Sequence, residues 1–116
     1  MHEMALMGDI LNIIIEDAEQ KGIKQFNNIE LIVGELSNAM PDALEMAFAI
    51  YKEQNPQLFS EDASLHIQHE EALAECIFCQ TRYKPDLKIS ICPSCNMPSG
   101  KLISGETFQV LSYEGD

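Results

Sequence analysis

Apolar residues recur at three- and four-residue spacing through the first stretch, MALMGDILNIIIEDAEQK, where Leu6, Met7, Ile10, Leu11, Ile14 and Ala18 share one side of a helix. The spacing predicts a helix over 4–21, with Gly22 as its C-terminal stop. Gly8 inside it costs about 1 kcal/mol relative to alanine and marks a bend or a close packing contact. After Asn27-Asn28 the pattern changes to IELIVGEL, a β-branched run with Ile29, Leu31 and Val33 on one face, which predicts a strand. Gly34 at its end lets the backbone bend or come close to another segment.

Pro41 suits the first position of a second helix, and Asp42 and Glu45 suit the positive end of its dipole. Leu44, Ala47, Phe48 and Tyr51 form its apolar stripe, and Asn55-Pro56 stops it. ASLHIQHE then alternates as a strand with Leu65 and Ile67 inward, and ETFQVLSY reads as a third strand with Phe108 and Val110 on one face. Between these two strands the composition shifts. Residues 74–101 hold all four cysteines, three of the five prolines and four of the seven basic residues. The expected fold class is therefore α+β: two helices packed on a three-stranded sheet, with an inserted zinc-ribbon minidomain. The expected domains are residues 1–73 plus 102–116, a discontinuous α+β domain, and the ribbon at 74–101.

The chain has 116 residues, 46% of them hydrophobic, enough for one ordinary core that removes roughly two-thirds of the unfolded surface from water. Asp9 interrupts the early apolar stretch, no basic segment precedes it, and no apolar run approaches the length of a membrane span. A soluble, cytoplasmic protein is expected. Nineteen acidic against seven basic residues give a formal charge of −12, which repels phosphate backbones and argues against nucleic acid as a partner. Such a surface suits a metal cation or a basic protein patch better.

The cysteines read CIFCQTRYKPDLKISICPSC: Cys76-x-x-Cys79, twelve residues, then Cys92-x-x-Cys95. Each pair can aim two thiolates at one point, and the stretch between them suits a β-hairpin. Four thiolates in a tetrahedron suit Zn2+ in a closed, structural site without room for a catalytic water. A module this short lacks the core to fold alone, and zinc binding, worth about 10–16 kcal/mol, makes up the difference. Disulfides fit a cytosolic chain poorly, a thioredoxin-type dithiol needs one pair at a strand-to-helix junction, and iron–sulfur clusters are usually spaced otherwise. Arg82, Lys84 and Lys88 against Asp86 leave two positive charges between the pairs, which offset the −2 of a zinc tetrathiolate.

The chain opens Met1-His2-Glu3. A histidine at position two offers the Met1 amine, its own deprotonated amide and its imidazole as neighbouring nitrogens in one plane, a set that Ni2+ and Cu2+ prefer. A fourth donor can come from the Glu3 amide, the Glu3 carboxylate or a partner. His66 and His69, three apart on a strand, point to opposite faces and do not make a joint site. Met4, Met7 and Met46 lie in helices, where they are expected as core or interface filling rather than as soft-metal ligands. No Ser/His/Asp set, P-loop or glycine-rich phosphate cradle appears, so no enzyme activity is expected.

Taken in order, the MHE opening, the strand ending GELS, the helix beginning PDALEMAF, the CxxC–x12–CxxC ribbon and the SGE before the last strand resemble the HypA/HybF family of hydrogenase nickel-incorporation proteins. The resemblance runs from Met1 to about Tyr113. It implies a nickel metallochaperone that delivers Ni2+ to the large-subunit precursor of a [NiFe] hydrogenase together with the nickel-binding GTPase of that pathway (HypB), and it leaves urease maturation proteins open as further partners. By position it implies His2 as nickel ligand with Met1 and Glu3 as additional donors, and Cys76, Cys79, Cys92 and Cys95 as zinc ligands. One position departs from the family pattern. Met40 stands before the second-helix proline where relatives often carry an acid, which leaves Asp42 or Glu35 as replacement carboxylates. The competing reading is a zinc-ribbon protein-interaction or nucleic-acid-binding module without a nickel function.

Overall fold

The structure is a computed structural model that describes residues 2–85 and 91–116. Within them the chain runs α1 (His2–Lys21), β1 (Phe26–Gly34), α2 (Pro41–Gln54), β2 (Phe59–Glu70), β3 (Leu73–Cys76), β4 (Arg82–Tyr83), β5 (Gly100–Ser104) and β6 (Phe108–Gly115). Strand β1 is central in a sheet ordered β2-β1-β6, and β3 is central in a second sheet ordered β4-β3-β5. Contacts divide the chain into two units, residues 1–32, 39–68 and 109–116 in one, and residues 33–38 and 69–108 in the other. Among the described residues no helix is long and apolar enough to cross a membrane.

In the first unit the apolar periodicity becomes the core. Met7, Ile10, Leu11, Ile14 and Ala18 of α1 are buried, as are Leu44, Ala47 and Phe48 of α2. Ile29 and Leu31 of β1 are buried too. Each fully buried Met, Ile or Leu side chain contributes about 2 kcal/mol. Phe59 joins this core edge-on to Phe48, with ring centroids 5.4 Å apart, and Phe26 meets Tyr113 of β6 at 5.6 Å. Gly8 proves to be a packing contact. The Tyr51 hydroxyl donates to the Met4 carbonyl at 3.1 Å, and a Cβ on Gly8 would stand 2.8 Å from that hydroxyl. Leu65, Ile67, Phe108 and Val110 are only half-buried.

Helix α1 begins at His2, two residues before the apolar spacing starts. The reason is polar. Glu3 is an acid at the positive end of the helix, and its Oε2 accepts the Met40 backbone N–H at 3.2 Å. Those contacts stabilise the first turn, and neither leaves an apolar signal.

In the second unit three backbone segments meet with almost no space between them. The Gly34 N–H donates to the Thr107 carbonyl at 2.6 Å, and the Leu36 N–H to the Gly105 carbonyl at 2.7 Å. A Cβ on Gly34 would lie 2.3 Å from the Gly105 oxygen, and one on Gly105 (φ +113°) 2.6 Å from the Ala72 Cα. Two carboxylates fasten this crossing. Glu70 Oε1 accepts the N–H groups of Gly105 and Thr107 at 2.7 and 3.3 Å, while its Oε2 accepts the Thr107 hydroxyl at 3.0 Å. Glu35 Oε1 accepts the Ala72 N–H at 2.9 Å and pairs with Lys84 at 3.0 Å.

Gly105→Ala combines a left-handed φ with a backbone clash, so thermal or urea unfolding should show a loss of about 2–4 kcal/mol. Glu70's pKa is lowered from its ordinary 4.5, chiefly by the Gly105 N–H and then by the Thr107 hydroxyl. Its contribution is therefore complete above the ordinary value and is lost as pH falls through the lowered one. Glu70→Gln should unfold a few degrees below the parent at pH 7, and the gap should close as pH falls below the ordinary carboxylate range and through the lowered value.

Candidate metal centres

The four cysteines sit in two turns of one design. In the first, the Gln80 N–H returns to the Cys76 carbonyl at 2.9 Å and the Cys76 N–H donates to the Thr81 carbonyl at 3.0 Å. In the second, the Asn96 N–H returns to the Cys92 carbonyl at 2.8 Å and the Cys92 N–H donates to the Met97 carbonyl at 3.0 Å. The residue after each second cysteine adopts a positive φ, +62° at Gln80 and +58° at Asn96. That left-handed step reverses the chain so that both sulfurs of a pair face inward. Antiparallel pairing of β3 with β4 flanks the first turn, and β5 pairs with the other edge of β3. This hairpin has the first CxxC as its turn, whereas the one expected in the stretch between the pairs falls in part on residues 86–90, outside the described residues. Lys88 and Asp86, which entered the charge balance, lie outside the described residues.

All four sulfurs fall within 4.8 Å of one another. Cys76 lies 3.6 Å from Cys95, and Cys79 lies 3.5 Å from Cys92. Tetrahedral zinc with bonds of about 2.3 Å requires sulfurs about 3.8 Å apart, so the donor set fits the ion. The first cysteine of each pair, Cys76 and Cys92, is buried, whereas Cys79 and Cys95 are exposed.

Hydrogen bonds prepare some of these thiols to ionise. The Cys79 N–H, followed by the Ser99 hydroxyl 3.1 Å away, draws the Cys76 thiol down to about 6. The Thr81 hydroxyl at 3.2 Å is the main influence lowering Cys79. At Cys95 the Met97 N–H pulls downward, but partial loss of water around the sulfur and the sulfurs of Cys76 and Cys92 together push the thiol up to about 11. Four sulfurs this close repel as anions, and a divalent cation removes that repulsion. Arg82 and Lys84 do not supply the compensation expected from their position, because each is paired with a carboxylate. Arg82 meets Glu75 at 3.2 Å, and Lys84 meets Glu35.

At the other end of the chain, His2 is exposed in the first turn of α1. The first four N–H groups of a helix have no intrahelical acceptor, so the amides of His2 and Glu3 are not committed to the helix ladder. The Glu3 carboxylate is occupied, and the Met40 N–H is the main cause holding its pKa below the usual carboxylate value. Glu35 is likewise committed, to Ala72 and Lys84, whereas Asp42 is exposed in the first turn of α2. The Ser64 hydroxyl lies 3.3 Å from His66 Nε2, and both His66 and His69 are exposed.

A family model described as hydrogenase/urease nickel incorporation, metallochaperone, HypA matches residues 1–115. The chain belongs to the HypA family. A HypA hydrogenase maturation factor of Moorella thermoacetica is 35% identical over the full length of both chains. One of Lawsonia intracellularis is 35% identical over 82% of this chain and 81% of its own. A solution structure of a HypA protein superposes with a TM-score of 0.68 at 25% identity, covering 99% of this chain and 96% of that one. The solution structure of the nickel metallochaperone HypA from Helicobacter pylori, at 22% identity and a TM-score of 0.63, shares the fold.

Within the HypA family, then, this chain presents a tetrathiolate suited to structural zinc in its second unit and an exposed histidine at the start of its first. Sequence reasoning located both cysteine pairs but missed the left-handed step after each. Asn96 carried a signal for it, since Asn tolerates that conformation, and Gln80 carried none. Replacing Cys76 or Cys92 with serine should abolish stoichiometric zinc. Amide dispersion should collapse over residues 69–108 while the helical signal of α1 and α2 is kept, as checked by metal analysis and NMR.

Proposed function

We propose that this chain is a non-enzymatic nickel carrier that binds Ni2+ at its amino-terminal tip. It hands the ion to the large-subunit precursor of a [NiFe] hydrogenase, in the cytoplasm and together with the nickel-binding GTPase HypB. The observation that carries this reading is the match of the nickel-incorporation family model from residue 1, across Met1, His2 and Glu3. The ligands are the Met1 amine, the His2 amide and imidazole, and a nitrogen or oxygen of Glu3. Use of the Glu3 amide is favoured, because the carboxylate already accepts the Met40 N–H. The functional division follows the chemistry, with nickel on residues 1–73 and 102–116 and zinc on residues 74–101.

The exposure of His2 supports a site that can be emptied. A cation at the amino end of a helix faces the positive end of the dipole, which weakens binding by about 0.3–1 kcal/mol. Deprotonation of backbone amides offsets this by supplying negative charge at the metal. The balance suits micromolar or weaker affinity, from which a partner can remove the ion. A hydrogenase precursor and a urease maturation protein present the same demand for Ni2+, and both are partners to be tested.

Nickel titration of the zinc-loaded protein and of His2→Ala tests the assignment. The parent should take up one Ni2+ per chain, and the variant should lose at least about tenfold in affinity while retaining zinc. Equal uptake by both proteins would remove His2 from the site. A peptide tag ahead of Met1 should weaken binding as well, since it converts the amine to an amide.

A further inference from the structure

The outer side of α2 carries an apolar stripe that the fold leaves uncovered. Met46, Ala49 and Ile50 stand at i, i+3 and i+4, the spacing with which one helix packs against another. Met46 is 67% exposed and Ile50 40% exposed, and Ala49 is exposed between them. They are not the residues that seat α2 in its unit, because Leu44, Ala47 and Phe48 do that from the opposite side. Single exposed apolar residues are ordinary on any surface. A row of them at helical spacing is not.

Toward the C-terminal end of α2 the stripe runs into a groove of about 390 Å³, whose lining includes Ala49, Pro56 and Phe59. Glu53 and Glu61 stand at its rim and are exposed. Asp42 and Glu45 continue the acidic border along the helix, one turn before Met46 and Ala49. Lys52 also lines the groove, but its Nζ is turned onto the carbonyls of Glu61 and Ala63 at 2.8 and 2.9 Å. The backbone thus holds that cation, while the carboxylates around it remain open to a partner.

We propose that this face docks a basic amphipathic helix of a partner protein. Its apolar side chains lie on Met46 and Ile50 and enter the groove against Phe59, and its Lys or Arg residues meet Glu45, Glu53 and Glu61. Charge selects the occupant. The chain carries −12, so a second copy would bring the same carboxylates against their own kind, and anionic lipid or nucleic acid would be repelled likewise. A helix laid along a helix-bordered groove satisfies both the spacing and the rim. The docking needs no nickel, so its failure and that of the nickel reading are separable.

The test uses the zinc-loaded full chain, isotope-labelled for NMR, and a synthetic Leu/Lys peptide roughly four helical turns long with leucines at three- and four-residue spacing. A scrambled peptide of the same composition and a Glu-for-Lys version serve as controls. Shift changes should centre on Met46, Ala49, Ile50 and Phe59. Ile50→Ser, Met46→Ser and Glu53→Lys should each weaken binding by about tenfold, with thermal midpoints near the parent's. Ile13→Ser, an equally exposed apolar residue on α1, and His2→Ala should leave it unchanged. Equal binding of the scrambled peptide, shifts centred elsewhere, or unaltered affinity in both serine variants of α2 would overturn the proposal. So would self-association of the peptide-free protein that Ile50→Ser abolishes, since the face would then belong to a second copy.

Discussion

Four sulfur atoms brought to one point cannot all carry charge without a cation between them, and the second unit is arranged around that constraint. Its sheet is short: β3 has four residues and β4 two. Such strands bury little apolar surface, so the segment has few means of holding itself together other than the metal its thiolates demand. The hydrogen bonds of Cys79 N–H, Ser99 and Thr81 ease ionisation at two sulfurs, while crowding opposes it at Cys95. A divalent ion resolves the conflict and closes the two turns into one body.

The other half of the structural economy lies where the chain enters and leaves this segment. At Gly34, Ala72 and Gly105 the backbones approach so closely that no side chain fits between them, and the carboxylates of Glu35 and Glu70 collect the N–H groups the crossing exposes. Buried or crowded amides must find acceptors. Glutamates do this here with charge-assisted hydrogen bonds, which are stronger than neutral ones. The acidic composition is therefore not solvated surface alone, because part of it is structural.

Much of the fold was legible because it obeys simple periods. The stripe from Met7 to Ala18, the alternation of Ile29, Leu31 and Val33, and the proline at position 41 each declared an element and its inward face. The cysteine spacing declared a metal cluster before any geometry was known. What stayed hidden depends on contacts between distant residues or on polar geometry. The start of α1 at His2 follows from Glu3 reaching Met40, thirty-seven residues on. The roles of Glu35 and Glu70 require knowing which amides the crossing strips of partners. The pairing of Arg82 and Lys84 with Glu75 and Glu35 replaced a charge balance that proximity in sequence had suggested. No local pattern encodes these.

The Glu3–Met40 hydrogen bond links the first turn of α1 to the residue that precedes α2. Any ligand that recruits the Glu3 carboxylate must release that amide, and anything that shifts the start of α2 must loosen Glu3. Occupancy at one helix start and position of the other are thus reciprocal, as thermodynamic linkage requires. A single water-exposed contact limits how loudly the two can speak to each other. Its ceiling is about tenfold in affinity, enough to bias a hand-over and too little to command one.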